Sequence, residues 1–295
     1  MINIEKIYIE GLFGNRNIDF NLNDDVTVLV GKNGRGKSTI LGIIRALLLN
    51  DPTAKELEHC KSAKIIFSNN SWIRSKKLEL NNKNINLIFK ELRSQKKSND
   101  IDINSEVIHL LKNKFKPNII SSGEIPSIVV DFISTINMSA NSTVEIISSD
   151  GVSQKFLDIE INWEIEKFFK DENKKINIFL DCINELFQDS EKKIFIEEKQ
   201  FVILNKENNT NCEVEDLSSG ERQLIYILLK AINSSDKPSI LLMDEPEISL
   251  HLFWQEKLIS SMRKINNKSQ MLIVTHSPAI IMDGWMNSYI DIDDL

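Results

Sequence analysis

Val26-Thr27-Val28-Leu29-Val30 runs without a break into Gly31-Lys32-Asn33-Gly34-Arg35-Gly36-Lys37-Ser38-Thr39, and from there into Ile40-Leu41-Gly42-Ile43-Ile44. The first five residues are nearly all β-branched or apolar, the composition of a strand buried on both faces. The last five open a helical pattern that continues through Leu47 and Leu48. Between them stands Gly-x-x-x-x-Gly-Lys-Ser, with a strand before it and a helix after it, the setting this motif requires. Gly31, Gly34 and Gly36 let the loop curl so that successive backbone N–H groups face phosphate oxygens, and Asn33 and Thr39 belong to the same cradle. Lys37 suits the β- and γ-phosphates of a nucleotide, and the Ser38 hydroxyl suits magnesium. The helix that follows aims its positive end at the same place.

Upstream, Ile4, Ile7 and Ile9, then Ile18 and Phe20, mark two further short strands joined by turns rich in Gly and Asn. Far downstream three more pieces recur in order. Leu217-Ser218-Ser219-Gly220-Glu221-Arg222-Gln223 opens a strong helical run, so Ser218 and Gly220 sit at a helix N-terminus, a second anion-binding helix start. Ile240 to Met243 reads as a buried parallel strand ending in Asp244, Glu245 and Pro246. Neighbouring strand residues face opposite ways, so the two carboxylates divide the work: Asp244 for magnesium, Glu245 for orienting and deprotonating a water. Met271 to Val274 is the next buried strand, and His276 emerges at its end, placed to hydrogen-bond a γ-phosphate. Leu252 to Met262 suits a helix covering the sheet, and the acidic run Asp291 to Asp294 reads as a solvated end or a final strand.

The middle of the chain is less legible. Ile65 to Ser68, Leu78 to Leu80, Ile85 to Phe89, Ser127 to Ile136 and Thr143 to Ile147 have strand character, with a helix expected over Val107 to Phe115 and a loop over Ser94 to Asp100. Leu157 to Phe169 fits a strand by alternation and a helix by its Ile161, Ile165, Phe168 and Phe169 spacing, and periodicity leaves both open. Ile176 to Phe187 carries one helical stripe, and Ile194 to Ile196 with Phe201 to Leu204 reads as a hairpin. Arg74, Lys76, Lys77, Arg93, Lys96 and Lys97 are the one hint of a basic face, with acidic residues mixed nearby.

With 295 residues, 41% of them hydrophobic and 27% charged, the chain can bury a sizeable core. A net charge of -7 gives no global field drawing in nucleic acid. Cys60, Cys182 and Cys212 are isolated thiols without metal-ligand spacing. Met1 leads straight into a strand, and no apolar run approaches the ~20 residues of a membrane span. A soluble, cytoplasmic protein is expected.

Taken together, the P-loop, the Leu217-to-Glu221 signature, the Asp244-Glu245-Pro246 turn and His276 resemble the ABC-type ATPase superfamily, in particular its soluble SMC, RecF and OLD-like branch. Leu-Ser-Ser-Gly-Glu-Arg-Gln, Asp-Glu-Pro-Glu-Ile-Ser-Leu-His with Trp254-Gln255, and Val274-Thr275-His276-Ser277-Pro278 are similar to small bacterial ATPases such as the PtuA-type ATPases of Septu and retron defence systems. The resemblance covers Met1 to about Leu49 and about Ile176 to the end. It implies an α/β P-loop fold of ABC-ATPase type, a mixed sheet with N-terminal antiparallel strands plus an inserted α/β lobe. The implied division is 1–50 and 176–295 for the ATPase core, with 51–175 as the lobe.

The resemblance further implies ATP hydrolysis with Mg2+ in a head-to-tail homodimer, where Ser218, Gly220 and Glu221 of one subunit approach the nucleotide bound by its twin's Lys37. Ser249-Leu250-His251 falls where the family's D-loop crosses the dimer interface, with His251 in place of a common aspartate. Gln95 and Gln154 are the candidates for a magnesium-sensing glutamine. No second active site is visible, so such a switch is expected to drive a separate effector, a nuclease or toxin, in anti-phage defence. Two other readings are a RecF- or SMC-like DNA-binding repair ATPase and the nucleotide-binding subunit of a transporter. The long separation of Lys37 from Ser218 fits an inserted lobe better than a compact transporter cassette.

Overall fold

The computed structural model describes residues 2–77, 117–134, 145–147, 153–170 and 175–295. They fall into two compact units, one formed by 1–3, 22–41 and 126–295, the other by 4–21 and 42–125. The strands expected at 78–80 and 85–89, the loop at 94–100 and the helix at 107–115 lie outside the described residues, as do Gln95, Arg93, Lys96 and Lys97.

The larger unit is built on a parallel sheet. Its strands are β3 (Val26–Val30), β7 (Val129–Ser134), β13 (Ser239–Asp244), β14 (Ser269–Val274) and β15 (Tyr289–Asp291), ordered β15-β3-β14-β13-β7. Every neighbouring pair is parallel, in register Asp244↔Val274 and Val274↔Leu29 at the strand ends that matter for the site. All six residues of β13 and all six of β14 are buried, as continuous apolar strands of a sheet covered on both sides must be. The stretch 127–136, read from sequence as strand, supplies an edge of this sheet through β7, with 135–136 outside the described residues.

Four helices of this unit are α2 (Phe156–Lys170), α3 (Ile176–Leu186), α4 (Ser219–Asn233) and α5 (Leu252–Ile265). Helix α4 buries nearly its whole length, with Leu224, Ile225, Ile227, Leu228 and Leu229 at most 1% exposed. Each such side chain contributes about 1.5–3 kcal/mol when fully removed from water, so α4 is anchored as firmly as the strands it covers. The undecided stretch 157–169 is helix α2: Leu157, Ile161 and Phe168 share the buried face, while Trp163 is 58% exposed. Its polar side is also engaged, for Asp158 receives Arg222 Nη1 at 2.7 Å and Glu164 receives Lys230 Nζ at 2.9 Å, both from α4. The hairpin expected around 194–204 forms β10 (Lys192–Glu197) and β11 (Gln200–Asn205), joined by a short β12 (Thr210–Cys212). A two-stranded ribbon, β8 (Glu145–Ile147) with β9 (Ser153–Lys155), carries Gln154.

The smaller unit is an antiparallel sheet of β1 (Ile4–Leu12), β2 (Arg16–Asn21), β4 (Ser62–Phe67), β5 (Trp72–Lys76) and β6 (Asn118–Ser122), ordered β2-β1-β4-β5-β6. Alternation sorts its faces: Ile7, Ile9, Ile18, Phe20, Ile65, Phe67 and Ile73 are buried. Tyr8, Asp19, Lys64 and Arg74 line up across the opposite face. Helix α1 (Lys37–Leu48) follows the P-loop. On it Gly42 lies against the side chain of Glu56, which would have to shift to admit a Cβ.

Candidate functional site

The site gathers where β3, β13 and β14 end side by side. The loop after β3 takes three positive φ angles, Gly31 at 144°, Gly34 at 77° and Gly36 at 90°, a run of conformations that residues with a Cβ resist. Residues 32 to 35 and Ser38 are exposed, Asn33 among them, while Lys37 turns inward and is 4% exposed. Its Nζ donates to the carbonyls of Gly31 at 2.7 Å and Lys32 at 3.2 Å and lies 3.0 Å from His276 Nε2. Burial pulls the Lys37 ammonium below the ordinary lysine range, against the neighbouring charges of Glu245 and Asp244.

Asp244 closes β13 opposite the loop. Ser38 Oγ donates to Asp244 Oδ1 at 2.9 Å, so the two hard oxygen ligands expected for magnesium are already adjacent. Burial raises the Asp244 carboxyl above its usual range. The next residue, Glu245, has φ 51°. A left-handed backbone there swings its side chain away from the strand's alternation and toward β14. Glu245 Oε1 lies 2.9 Å from His276 Nε2, and Glu245 Oε2 accepts from the His276 amide at 3.2 Å. Burial first, then the charge of Glu247, pushes the Glu245 carboxyl up to about 8. The structure thus brings Lys37, Ser38, Asp244, Glu245 and His276 into one constellation of direct contacts.

Ser218, Gly220 and Glu221 stand elsewhere in the unit, at the start of α4. Ser218 is the N-cap: its side chain accepts from the Glu221 amide at 3.3 Å, and Glu221 Oε2 accepts from the Ser218 amide at 2.8 Å. This reciprocal pair satisfies two orphan donors of the helix start. Glu221 is 2% exposed and takes Lys192 Nζ on both oxygens, at 2.7 and 2.9 Å. Burial alone would raise its carboxyl, but the bonds from Lys192 and Ser218 hold it below the usual glutamate range. Glu221 therefore faces inward as a capping residue, whereas the Ser218 side is exposed. Gly220 is fixed by packing, since a Cβ would come within 2.5 Å of the Ser249 carbonyl oxygen and 3.1 Å of the Trp254 ring. In the D-loop position, Ser249 has φ 74° and His251 lies against Trp254, ring centroids 3.8 Å apart.

Sequence reasoning gave no role to four residues at the site. Glu247, in the Asp-Glu-Pro-Glu motif, is 6% exposed and accepts from the His276 and Ser277 amides at 3.2 Å each and from the Thr275 hydroxyl. Gln255 Oε1 accepts from Ser277 Oγ at 2.6 Å. The acidic run ends β15 at Asp291 and continues as a 3-10 turn, Ile292–Asp294, in which Asp293 and Asp294 are exposed but Ile292 is fully buried, its side chain filling the space a Cβ on Gly31 would need. Asp293 pairs with Arg35 Nε of the P-loop at 2.8 Å. The signal for Glu247 was its repetition two residues after Glu245; none in the sequence pointed Asp293 at Arg35.

The geometry agrees with what comparison with known proteins finds. The chain is 23% identical to the Septu protein PtuA of Bacillus thuringiensis over 312 aligned positions, which cover 98% of this chain and 76% of that protein. A shorter match, 29% identical over 84 positions, links it to a probable ATPase of retron Ec83 of Escherichia coli, covering 25% of this chain and 16% of that one. Among solved structures, the SMC head domain of Thermotoga maritima superposes with a TM-score of 0.51 at 15% identity, covering 95% of this chain and 92% of that one. The fold is that of an SMC-head-like P-loop ATPase, with a parallel sheet and an antiparallel sheet. Residues 26–283, from β3 past His276, match one family, and the chain belongs to that family, described as "AAA domain, putative AbiEii toxin, Type IV TA system".

Proposed function

We propose that this chain is an ATP-binding and ATP-hydrolysing dimer switch that gates a separate effector protein, a nuclease or a toxin, in bacterial anti-phage defence. The observation that supports it most is the contact network of Lys37, Ser38, Asp244, Glu245 and His276 at the ends of three adjacent parallel strands. The likeness to proteins named Septu PtuA and retron Ec83 probable ATPase supports the defence setting.

On this reading the loop amides of residues 32 to 36 and the Lys37 ammonium bind the phosphates. Ser38 and Asp244 hold magnesium, whose charge would offset that of the phosphates. Glu245 orients the attacking water and takes its proton. Lys37 Nζ donates to two carbonyls and faces His276 Nδ1 at 3.2 Å, while His276 Nε2 faces Glu245 Oε1 at 2.9 Å. Binding therefore trades internal bonds for bonds to phosphate, and His276 is the group both exchanges share. Ser218 and Gly220, on a helix start whose own capping is complete, complete the nucleotide site of a second subunit. Glu245→Gln keeps the phosphate-binding groups and removes the base, so it is expected to hold ATP and elute as a dimer with ATP and magnesium. A monomer under those conditions would count against the sandwich.

A second reading, a RecF- or SMC-like DNA-binding repair ATPase, is favoured by the outer face of the smaller sheet. There Lys64 stands directly opposite Arg74, with Lys76 and Trp72 on the same strand. Like charges placed opposite each other cost stability, a cost that a polyanion on that face would relieve. DNA affinity falling steeply with salt, and losing slope in Arg74→Ala, would support this reading; no binding at low salt would remove it.

A further inference from the structure

Glu247 lies in the turn that follows the two site carboxylates, buried and one residue beyond Pro246. Its Oε1 is the common acceptor for three consecutive residues of the turn after β14: the Thr275 hydroxyl, the His276 amide and the Ser277 amide. Its carboxyl also lies against that of Glu245, whose titration it helps push upward. The turn is held from its other side by Gln255, which receives Ser277 Oγ, while Thr275 itself is fully buried.

The segment that carries Glu247 is tied in the opposite direction to α4. Gln223 Nε2 donates to the Pro246 carbonyl at 2.6 Å, and Gly220 packs against the Ser249 carbonyl so closely that no Cβ fits. Residues 246 to 249 are therefore pinned between the start of α4 and the histidine turn. The His276 amide is shared between Glu247 Oε1 and Glu245 Oε2, at 3.2 Å each, so one of its two acceptors is tied through this segment to the start of α4.

We propose that Glu247 is a positioning residue: by gathering the Thr275, His276 and Ser277 donors on one oxygen it fixes the imidazole between Glu245 and Lys37, and it links that imidazole to the start of α4. The inference rests on the site assignment above but names a residue and a role beyond it. Its function is to accept hydrogen bonds, so an amide in place of the carboxylate should preserve it, and a methyl should not. Misplacing a group at a reacting centre by about 1 Å costs on the order of a hundredfold in rate.

The test has two arms on the full chain. In the first, hydrogen–deuterium exchange is followed at the His276 and Ser277 amides in wild type, Glu247→Ala, Glu247→Gln and Thr275→Val. Glu247→Ala should speed exchange on the order of tenfold, Glu247→Gln should stay near wild type, and Thr275→Val, which also removes the acceptor 2.9 Å from the Ser277 amide, should speed Ser277 more than His276. In the second, Glu247→Ala should lower kcat for ATP by tenfold to about a hundredfold with KM within about twofold, and Glu247→Gln should restore most of it. Unchanged exchange in Glu247→Ala overturns the proposal, and so does faster exchange with kcat intact. A general loss of packing would speed exchange across β14 and change KM and kcat together in Glu247→Ala and Thr275→Val alike, which also counts against it. Should wild type show no ATP turnover dependent on Lys37, the site assignment and the catalytic role of Glu247 both fall, while the exchange arm still decides whether Glu247 holds the turn.

Discussion

The two helix starts proposed to face the nucleotide are finished in different ways. At the P-loop, the reactive groups bond to one another: Lys37 to His276, His276 to Glu245, Ser38 to Asp244. At the start of α4, Ser218 and Glu221 close a capping box and Lys192 neutralises the glutamate from beneath, while the serine side stays exposed. The first centre stores charges that a nucleotide can draw on. The second is electrostatically settled within its own subunit and presents only a helix end. That asymmetry is what a site shared between two subunits requires, one part chemical and the other completing.

Changes at the two centres should therefore differ in kind. Lys37→Ala removes the central cation of the first, and is expected to abolish nucleotide binding by calorimetry and to lower turnover by about three orders of magnitude or more. Unimpaired binding would break the contrast at once. Gly220→Ala strikes the second by packing. With only 2.5 Å between the new Cβ and the Ser249 carbonyl, it should cost about 1–3 kcal/mol in thermal or chemical unfolding.

Lys192→Met leaves Glu221 buried without its cation and should also destabilise, by about 1–3 kcal/mol at neutral pH. Here the sign of the pH dependence sharpens the comparison. The folded Glu221 carboxyl lies below its ordinary value of 4.5, so its contribution is present above that value and is lost as pH falls through the folded one. Wild type should lose this increment on acidification below about pH 4.5, and Lys192→Met should lose less over the same range. Smallest in stability is Ser218→Ala, about 1 kcal/mol for the lost cap, with nucleotide binding by the single subunit unchanged.

Much of the first centre was legible because each part is local. A strand running into a glycine loop, a strand ending in two carboxylates and a strand ending in histidine are all continuous in sequence. What periodicity could not show was partnership across distance. Helix α2 alternates like a strand at Ile159, Ile161, Trp163 and Ile165, but it buries Leu157, Ile161 and Phe168 on one helical face, beside which Asp158 and Glu164 meet Arg222, Lys230 and Asn233 of α4. The acidic run at 291–294 looked half solvated because neither the pocket for Ile292 beside Gly31 nor the pairing of Asp293 with Arg35 is encoded nearby. Glu221, grouped with the nucleotide-facing residues by resemblance, faces Lys192 for the same reason: its partner lies on a separate hairpin.

The proposal of a site shared between two subunits is tested most directly by mixing two inactive proteins. Lys37→Ala keeps the start of α4 but cannot bind nucleotide, and Ser218→Arg keeps the P-loop but blocks the helix end. Mixed in equal amounts with ATP and magnesium, they should regain turnover well above the sum of the two alone, because one pairing carries an intact Lys37 opposite an intact Ser218. A mixture no more active than that sum would contradict the account.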